Sequence, residues 1–173
     1  KERGLKEICF TDHLDYTPEM DMVFDMAVYN AEYDRLEVPG LLIRRGVEFG
    51  LTTDNAEQLK IDLNRRHFDF VLGSIHLVDG TDVYMAPYWA DKTYDEAIRR
   101  DLETTLACVR VHEDYDVLGH LTYICKCGAN PRKELLRYED HKSILDEILT
   151  ELVKREKGME LNTSGIDRCG GSL

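Results

Sequence analysis

The sequence predicts an α/β fold built on a parallel sheet. Short runs of β-branched and apolar residues alternate with longer stretches of helical periodicity, and several of those stretches open on a capping signature. Strands alternating with helices imply βαβ units, and right-handed crossovers between them lead to a barrel or a doubly wound sheet. Periodicity does not choose between the two.

The elements follow in order. Lys1-Glu2-Arg3-Gly4 reads as the tail of a helix closed by a glycine, before a first strand over Glu7-Ile-Cys-Phe-Thr11. Residues 20 to 37 show a helical face through Met22, Met26, Tyr29, Tyr33 and Leu36, ended by Pro39-Gly40. A second strand covers Leu41 to Val47. Asp54 with Glu57 resembles a capping box, and Leu59 and Leu63 continue that helix at i, i+4. A third strand runs from Phe68 to Ile75. Thr93 with Glu96 forms a fuller capping box, with Ile98, Leu102, Leu106 and Val109 as the apolar stripe of the helix behind it. Asp95, Glu96, Asp101 and Glu103 read as a solvated acidic face of that helix. A fourth strand spans Tyr115 to Leu118. The last helix pairs Ile144/Leu145, Ile148/Leu149 and Leu152/Val153, carries Lys154, Arg155 and Lys157 in its final turn, and stops at Gly158. Met159-Glu-Leu161 is the fifth strand. The two longest loops, 77 to 92 and 121 to 137, are the expected functional insertions. A start without Met in a helix tail, and an end at Gly170-Gly171-Ser172-Leu173 with no helix after the last strand, are the marks expected of a piece of a longer protein.

Composition bounds the function. Among 173 residues, 22 Lys and Arg stand against 34 Asp and Glu, a formal charge of −12 that disfavours a nucleic-acid-coating protein. No apolar run approaches the length of a membrane span or a signal peptide, so a cytoplasmic protein is expected, with no membrane partner. Five cysteines, at 9, 108, 125, 127 and 169, lack the even spacing of a disulfide framework and suit free thiols. Cys125-Lys126-Cys127 without a second pair is a weak zinc signal.

The chemistry lies at the strand ends. His13, Glu48, His76 and His120 each stand at the C-terminal end of a different predicted strand. In a parallel α/β barrel those ends meet at one mouth, where side chains from separate strands share a ligand. A single strand-end histidine is more often a packing residue than a ligand, but four coincident positions are a metal inventory, suited to Zn, Fe or Mn. His67, His112 and His141 lie at helix ends and read as solvated or capping. Met20, Met22 and Met26 read as core filler. The loop aromatics Tyr84, Tyr88 and Trp89 fit pocket walls and rim packing equally.

The ordered segments Gly4-Leu-Lys-Glu-Ile-Cys-Phe-Thr-Asp-His13, Gly46-Val-Glu-Phe-Gly50, Phe68-Asp-Phe-Val-Leu-Gly-Ser-Ile-His-Leu-Val-Asp-Gly80, Asp116-Val-Leu-Gly-His120 and Glu160-Leu-Asn-Thr-Ser-Gly165 resemble the PHP superfamily, most closely its histidinol phosphatase branch. The resemblance implies a distorted (β/α)7 TIM-like barrel, of which residues 1–173 form a single incomplete domain of about five βα units. It implies up to three divalent ions at the barrel mouth and hydrolysis of L-histidinol phosphate in histidine biosynthesis. By the same resemblance, Glu48 bridges the first and third ions, His76 and His120 complete the third, and His13 serves the second. Asp12 matches the motif without a ligand role. The family's opening His-x-His strand would lie before Lys1 and its late Ser-Asp-x-His strand beyond Leu173, so this piece alone is expected to be a poor catalyst. Thr122 and Lys126 stand where the family often shows Asp and Arg. Lys126 keeps the charge for phosphate but not the bidentate fork. Metal ions would make water a nucleophile near neutral pH by lowering its pKa toward about 7, with no covalent enzyme intermediate. The competing readings are a PHP phosphoesterase for another small phosphate ester and an inactive metal-binding module.

Overall fold

The computed structural model describes residues 4–16, 25–65, 67–126, 129–132 and 136–165. Along the chain lie β1 (Glu7–Leu14), α1 (Met26–Tyr33), β2 (Leu42–Gly50), α2 (Ala56–Arg65), β3 (Phe70–Ser74), β4 (Leu77–Val78), β5 (Thr81–Asp82) and α3 (Ala86–Trp89). Then come α4 (Tyr94–Val111), β6 (Val117–Leu118), α5 (Tyr123–Lys126), a 3-10 turn (Tyr138–Asp140), α6 (Lys142–Lys154), β7 (Gly158–Met159) and a second 3-10 turn (Thr163–Gly165).

The five strands expected from the apolar runs form one parallel sheet in the order β1-β2-β3-β6-β7. β2 is an inner strand and buries every residue from Gly46 to Gly50, while β1, at an edge among the described strands, is exposed along much of its length. The core contains the fully buried Val47, Phe49, Leu51, Leu102, Val109, Leu118 and Ile148. Each side chain of this kind contributes about 2 kcal/mol by leaving water. Helix α4 presents the predicted stripe, and its capping box forms as read: Thr93 accepts from the Glu96 N–H while Glu96 accepts from the Thr93 N–H. Among the described residues, no helix is long and apolar enough to cross a membrane.

Several expectations are corrected. The Asp54 carboxylate is taken by the Thr52 hydroxyl at 2.6 Å, Asn55 ties back to Gly50 O, and the helix starts at Ala56 without the Asp54/Glu57 box. Gly158 opens β7; α6 ends at Lys154 through the Arg155 N–H, bonded to Glu151 O and Val153 O. Among the described residues, the helix read over 20 to 37 spans Met26–Tyr33 with Asp25 as its N-cap, and Met20 and Met22 lie outside them. The loop from 77 to 92 contains a hairpin and a short helix. Its turn is Asp79-Gly80, both at positive φ, the Asp-Gly pair that a two-residue turn between antiparallel strands favours. Arg100 clamps that turn to α4 through both Asp79 oxygens, at 2.8 and 2.5 Å. Tyr88 and Trp89 are core residues, donating to Ala97 O and Val83 O, whereas Tyr84 is exposed and stacks on Tyr123. Asp101 is not solvated: it is 4% exposed on the buried face of α4. His112 is also buried, its Nε2 donating to Thr52 O at 2.7 Å and its Nδ1 without a partner among the described residues. Cys9 and Cys108 are free thiols, Cys125 is buried, and Cys127 lies outside the described residues.

Candidate metal centre

Parallel register brings the strand ends together. His13 pairs directly with Glu48 across β1 and β2, so both side chains rise from one face. His76 follows the end of β3 by two residues, and His120 follows β6 after Gly119, whose N–H donates to Gly73 O. A Cβ on Gly119 would lie 2.1 Å from Ser74 Oγ, so glycine is what lets the segment carrying His120 approach β3.

Glu48 is the hub. Its Oε1 lies 3.1 Å from His76 Nε2 and 2.9 Å from His120 Nε2, and its Oε2 lies 3.7 Å from His13 Nε2. Ligand atoms of His13, Glu48 and His76 all fall within 4.8 Å of one another. Tetrahedral zinc with bonds near 2.0–2.1 Å separates its ligands by roughly 3.3 Å, so the set needs only small shifts to enclose a cation. Burial alone would raise the Glu48 carboxyl, but hydrogen bonds from His120 and His76 outweigh it and hold it far below the usual carboxylate range.

Asp15, which sequence reasoning missed, stands behind this set. Its Oδ1 lies 2.8 Å from His76 Nδ1, the ring nitrogen turned away from Glu48. Burial would lower the His76 pKa, but the flanking carboxylates of Asp15 and Glu48 raise it to about 9. Burial pushes the Asp15 carboxyl up, but the imidazoles of His13 and His76 beside its oxygens pull it down to about 2. Asp15 beside it raises the His13 pKa. Without a cation, then, the proton on His76 supplies positive charge between two buried carboxylates. The other Asp15 oxygen is buried, lies 3.5 Å from His13 Nδ1 and has no hydrogen-bond partner among the described residues. A cluster of three imidazoles and two carboxylates, one of them with an orphaned oxygen, fits a divalent cation in donor chemistry and in charge. Gly50 makes room for Asp15: a Cβ there would sit 1.8 Å from Asp15 Oδ1. The signal was present in the sequence, since Asp15 stands two residues after His13, on the same side of an extended chain.

Lys126 sits at the edge of the cluster. Its Nζ bonds Asn162 Oδ1 at 3.1 Å and Ser164 Oγ at 3.0 Å, and lies 5.7 Å from the Tyr123 ring. Tyr123 in turn packs 4.7 Å from the His120 ring and 5.9 Å from that of His76. Asp12 is exposed and accepts from the Tyr33 hydroxyl, apart from the cluster.

A family model described as the PHP domain matches residues 1–164. The chain belongs to the PHP domain family. It is 34% identical over 163 residues to the probable histidinol-phosphatase of Clostridium acetobutylicum, covering 93% of this chain and 63% of that protein. It is 33% identical over 169 residues to the histidinol-phosphatase of Lactococcus lactis, covering 95% of this chain and 62% of that one. The PHP chain thus spans a little under two thirds of these relatives. A crystal structure of the Lactococcus lactis enzyme with zinc, L-histidinol and phosphate superposes with a TM-score of 0.89 at 33% identity, over 96% of this chain and 65% of that one. A putative histidinol phosphatase from Listeria monocytogenes shares the fold, with a TM-score of 0.74 at 16% identity over 98% of this PHP chain and 76% of its own.

Proposed function

We propose that this chain forms part of a metal-dependent phosphomonoesterase that hydrolyses L-histidinol phosphate to L-histidinol and phosphate. The observation that supports it most is the single Glu48 carboxylate shared by His76 and His120, with His13 on its other oxygen. The Lactococcus lactis relative, holding zinc, L-histidinol and phosphate, supports the substrate.

In this reading His13, Glu48, His76 and His120 hold divalent ions, up to three in the complete protein, of Zn, Mn or Fe. Bound ions would supply a nucleophilic water and positive charge against the phosphate oxygens. The residues do the rest. Glu48 offers one oxygen to the His76 and His120 side and the other to the His13 side, so it could serve cations held on either side. Asp15 holds His76 Nδ1, leaving Nε2 for the site. Lys126, anchored by Asn162 and Ser164, brings a point charge for the phosphate dianion. A protein of net charge −12 needs this local positive field to bind an anionic ester.

The test is phosphate release by the full-length protein after chelator stripping and readdition of Zn, Mn or Fe. Metal-dependent turnover of L-histidinol phosphate, well above that of p-nitrophenyl phosphate, is expected. Good turnover of another phosphomonoester without turnover of L-histidinol phosphate would overturn the substrate assignment.

A further inference from the structure

His76 and His120 both turn Nε2 toward Glu48, yet only His76 has a protein group behind it. His76 Nδ1 meets Asp15, whereas His120 Nδ1 has no hydrogen-bond partner among the described residues. An imidazole that gives Nε2 to a cation keeps its proton on Nδ1 and needs an acceptor there, commonly a carboxylate, a carbonyl or a water.

The interior offers one. A cavity of about 10 Å³ is lined by Gly119, His120 and Tyr123 on one side of the chain and by Asp101 and Thr105 of α4. That volume is about one water. Asp101 is 4% exposed, and its carboxylate has no hydrogen-bond or ion-pair partner among the described residues. Burial pushes its pKa up to about 7, with no neighbouring charge to oppose it. The Thr105 hydroxyl does not help, being engaged with the Asp101 backbone carbonyl at 3.0 Å. An unpartnered carboxylate inside a core is costly, so the fold by itself gives no reason for Asp101.

We propose that one buried water bridges the Asp101 carboxylate to His120 Nδ1, which makes Asp101 a positioning residue that orients His120 with Nε2 free for a cation. The inference rests on the reading of His120 as a metal ligand. It gives His120 the same kind of support that Asp15 gives His76, with a water in place of direct contact.

The experiment measures zinc dissociation constants by chelator competition, with thermal unfolding of the metal-stripped form, for the full-length protein and its Asp101→Asn, Asp101→Leu and His120→Ala variants. Burying the Asp101 carboxylate carries a desolvation cost that one bridging water offsets only in part, so both Asp101 variants are expected to melt at or above the wild-type temperature. Their zinc affinity at one site should nevertheless fall, about tenfold for Asp101→Asn and toward about 100-fold for Asp101→Leu. Stability and affinity moving in opposite directions is what a purely structural Asp101 would not produce. Zinc affinity unchanged in the folded Asp101→Asn protein, while His120→Ala loses an ion, overturns the relay and leaves the ligand assignment standing. If His120→Ala retains every ion, the ligand assignment fails and the relay fails with it.

Discussion

Gly50→Ala puts a methyl 1.8 Å from Asp15 Oδ1 and 2.9 Å from its Cγ, so the carboxylate has to leave its place. Gly50 does not lie among the glycines at positive φ, and its backbone accepts alanine without strain. The reduced freedom of the unfolded chain would even stabilise the variant by about 0.4–1 kcal/mol. Against that stands the Asp15 to His76 hydrogen bond at 2.8 Å, between two buried groups, worth about 1.5–3 kcal/mol when charge-assisted. The net loss is roughly 1–2 kcal/mol, which in a chain of this size lowers Tm by about 2–8 °C. Thermal unfolding of the metal-stripped protein measures it, and a zinc titration should show affinity about tenfold weaker because His76 is no longer oriented. In an Asp15→Ala background the clash disappears, since the Gly50 methyl would then meet only an ordinary contact at 3.6 Å with Asp15 Cβ. Gly50→Ala should therefore cost nothing there. The same loss in both backgrounds, or none in either, would refute the claim that Asp15 is seated by Gly50 and acts through His76.

Glu48→Gln should remove more than one ion per chain in metal analysis of the full-length protein, since Glu48 faces three imidazoles, whereas His76→Ala should remove about one; equal losses would contradict the shared-carboxylate role. Lys126→Ala should leave metal content unchanged and raise the KM for L-histidinol phosphate roughly tenfold, the effect of losing one charge-assisted contact; loss of an ion would show that Lys126 acts on the cations. Burial lowers the His112 pKa while its Nδ1 stays unpartnered, so the unfolded chain takes up the proton first. That contribution to stability is present above about pH 6.5 and is lost as pH falls through the depressed value; denaturant titrations from pH 7 to 5 should show a flatter profile for His112→Gln.

What the sequence revealed and what it hid have physical reasons. His13, Glu48, His76 and His120 were legible because a parallel sheet places every strand's C-terminal end on one side, so strand-end position alone selects them. Apolar runs located β6 and β7 although each is only two residues long, because the runs mark burial and not the extent of pairing. The Asp79-Gly80 turn was open to reading from its dipeptide, and was passed over inside a long loop. Asp101 was misread by charge alone. It falls three residues after Ile98 and four before Thr105, on the buried stripe that the same helix announced. Asp15 is marked in the sequence only by standing two residues after His13, while its partner His76 lies 61 residues away, a distance that only the folded sheet closes.

Diffraction from zinc-loaded crystals, collected at the zinc absorption edge, bears most directly on the metal centre. The account predicts an anomalous peak within bonding distance of a Glu48 oxygen and of the Nε2 atoms of His76 and His120, with His76 Nδ1 still on Asp15. Zinc bound elsewhere, with Glu48 still hydrogen-bonded to both imidazoles, would contradict it.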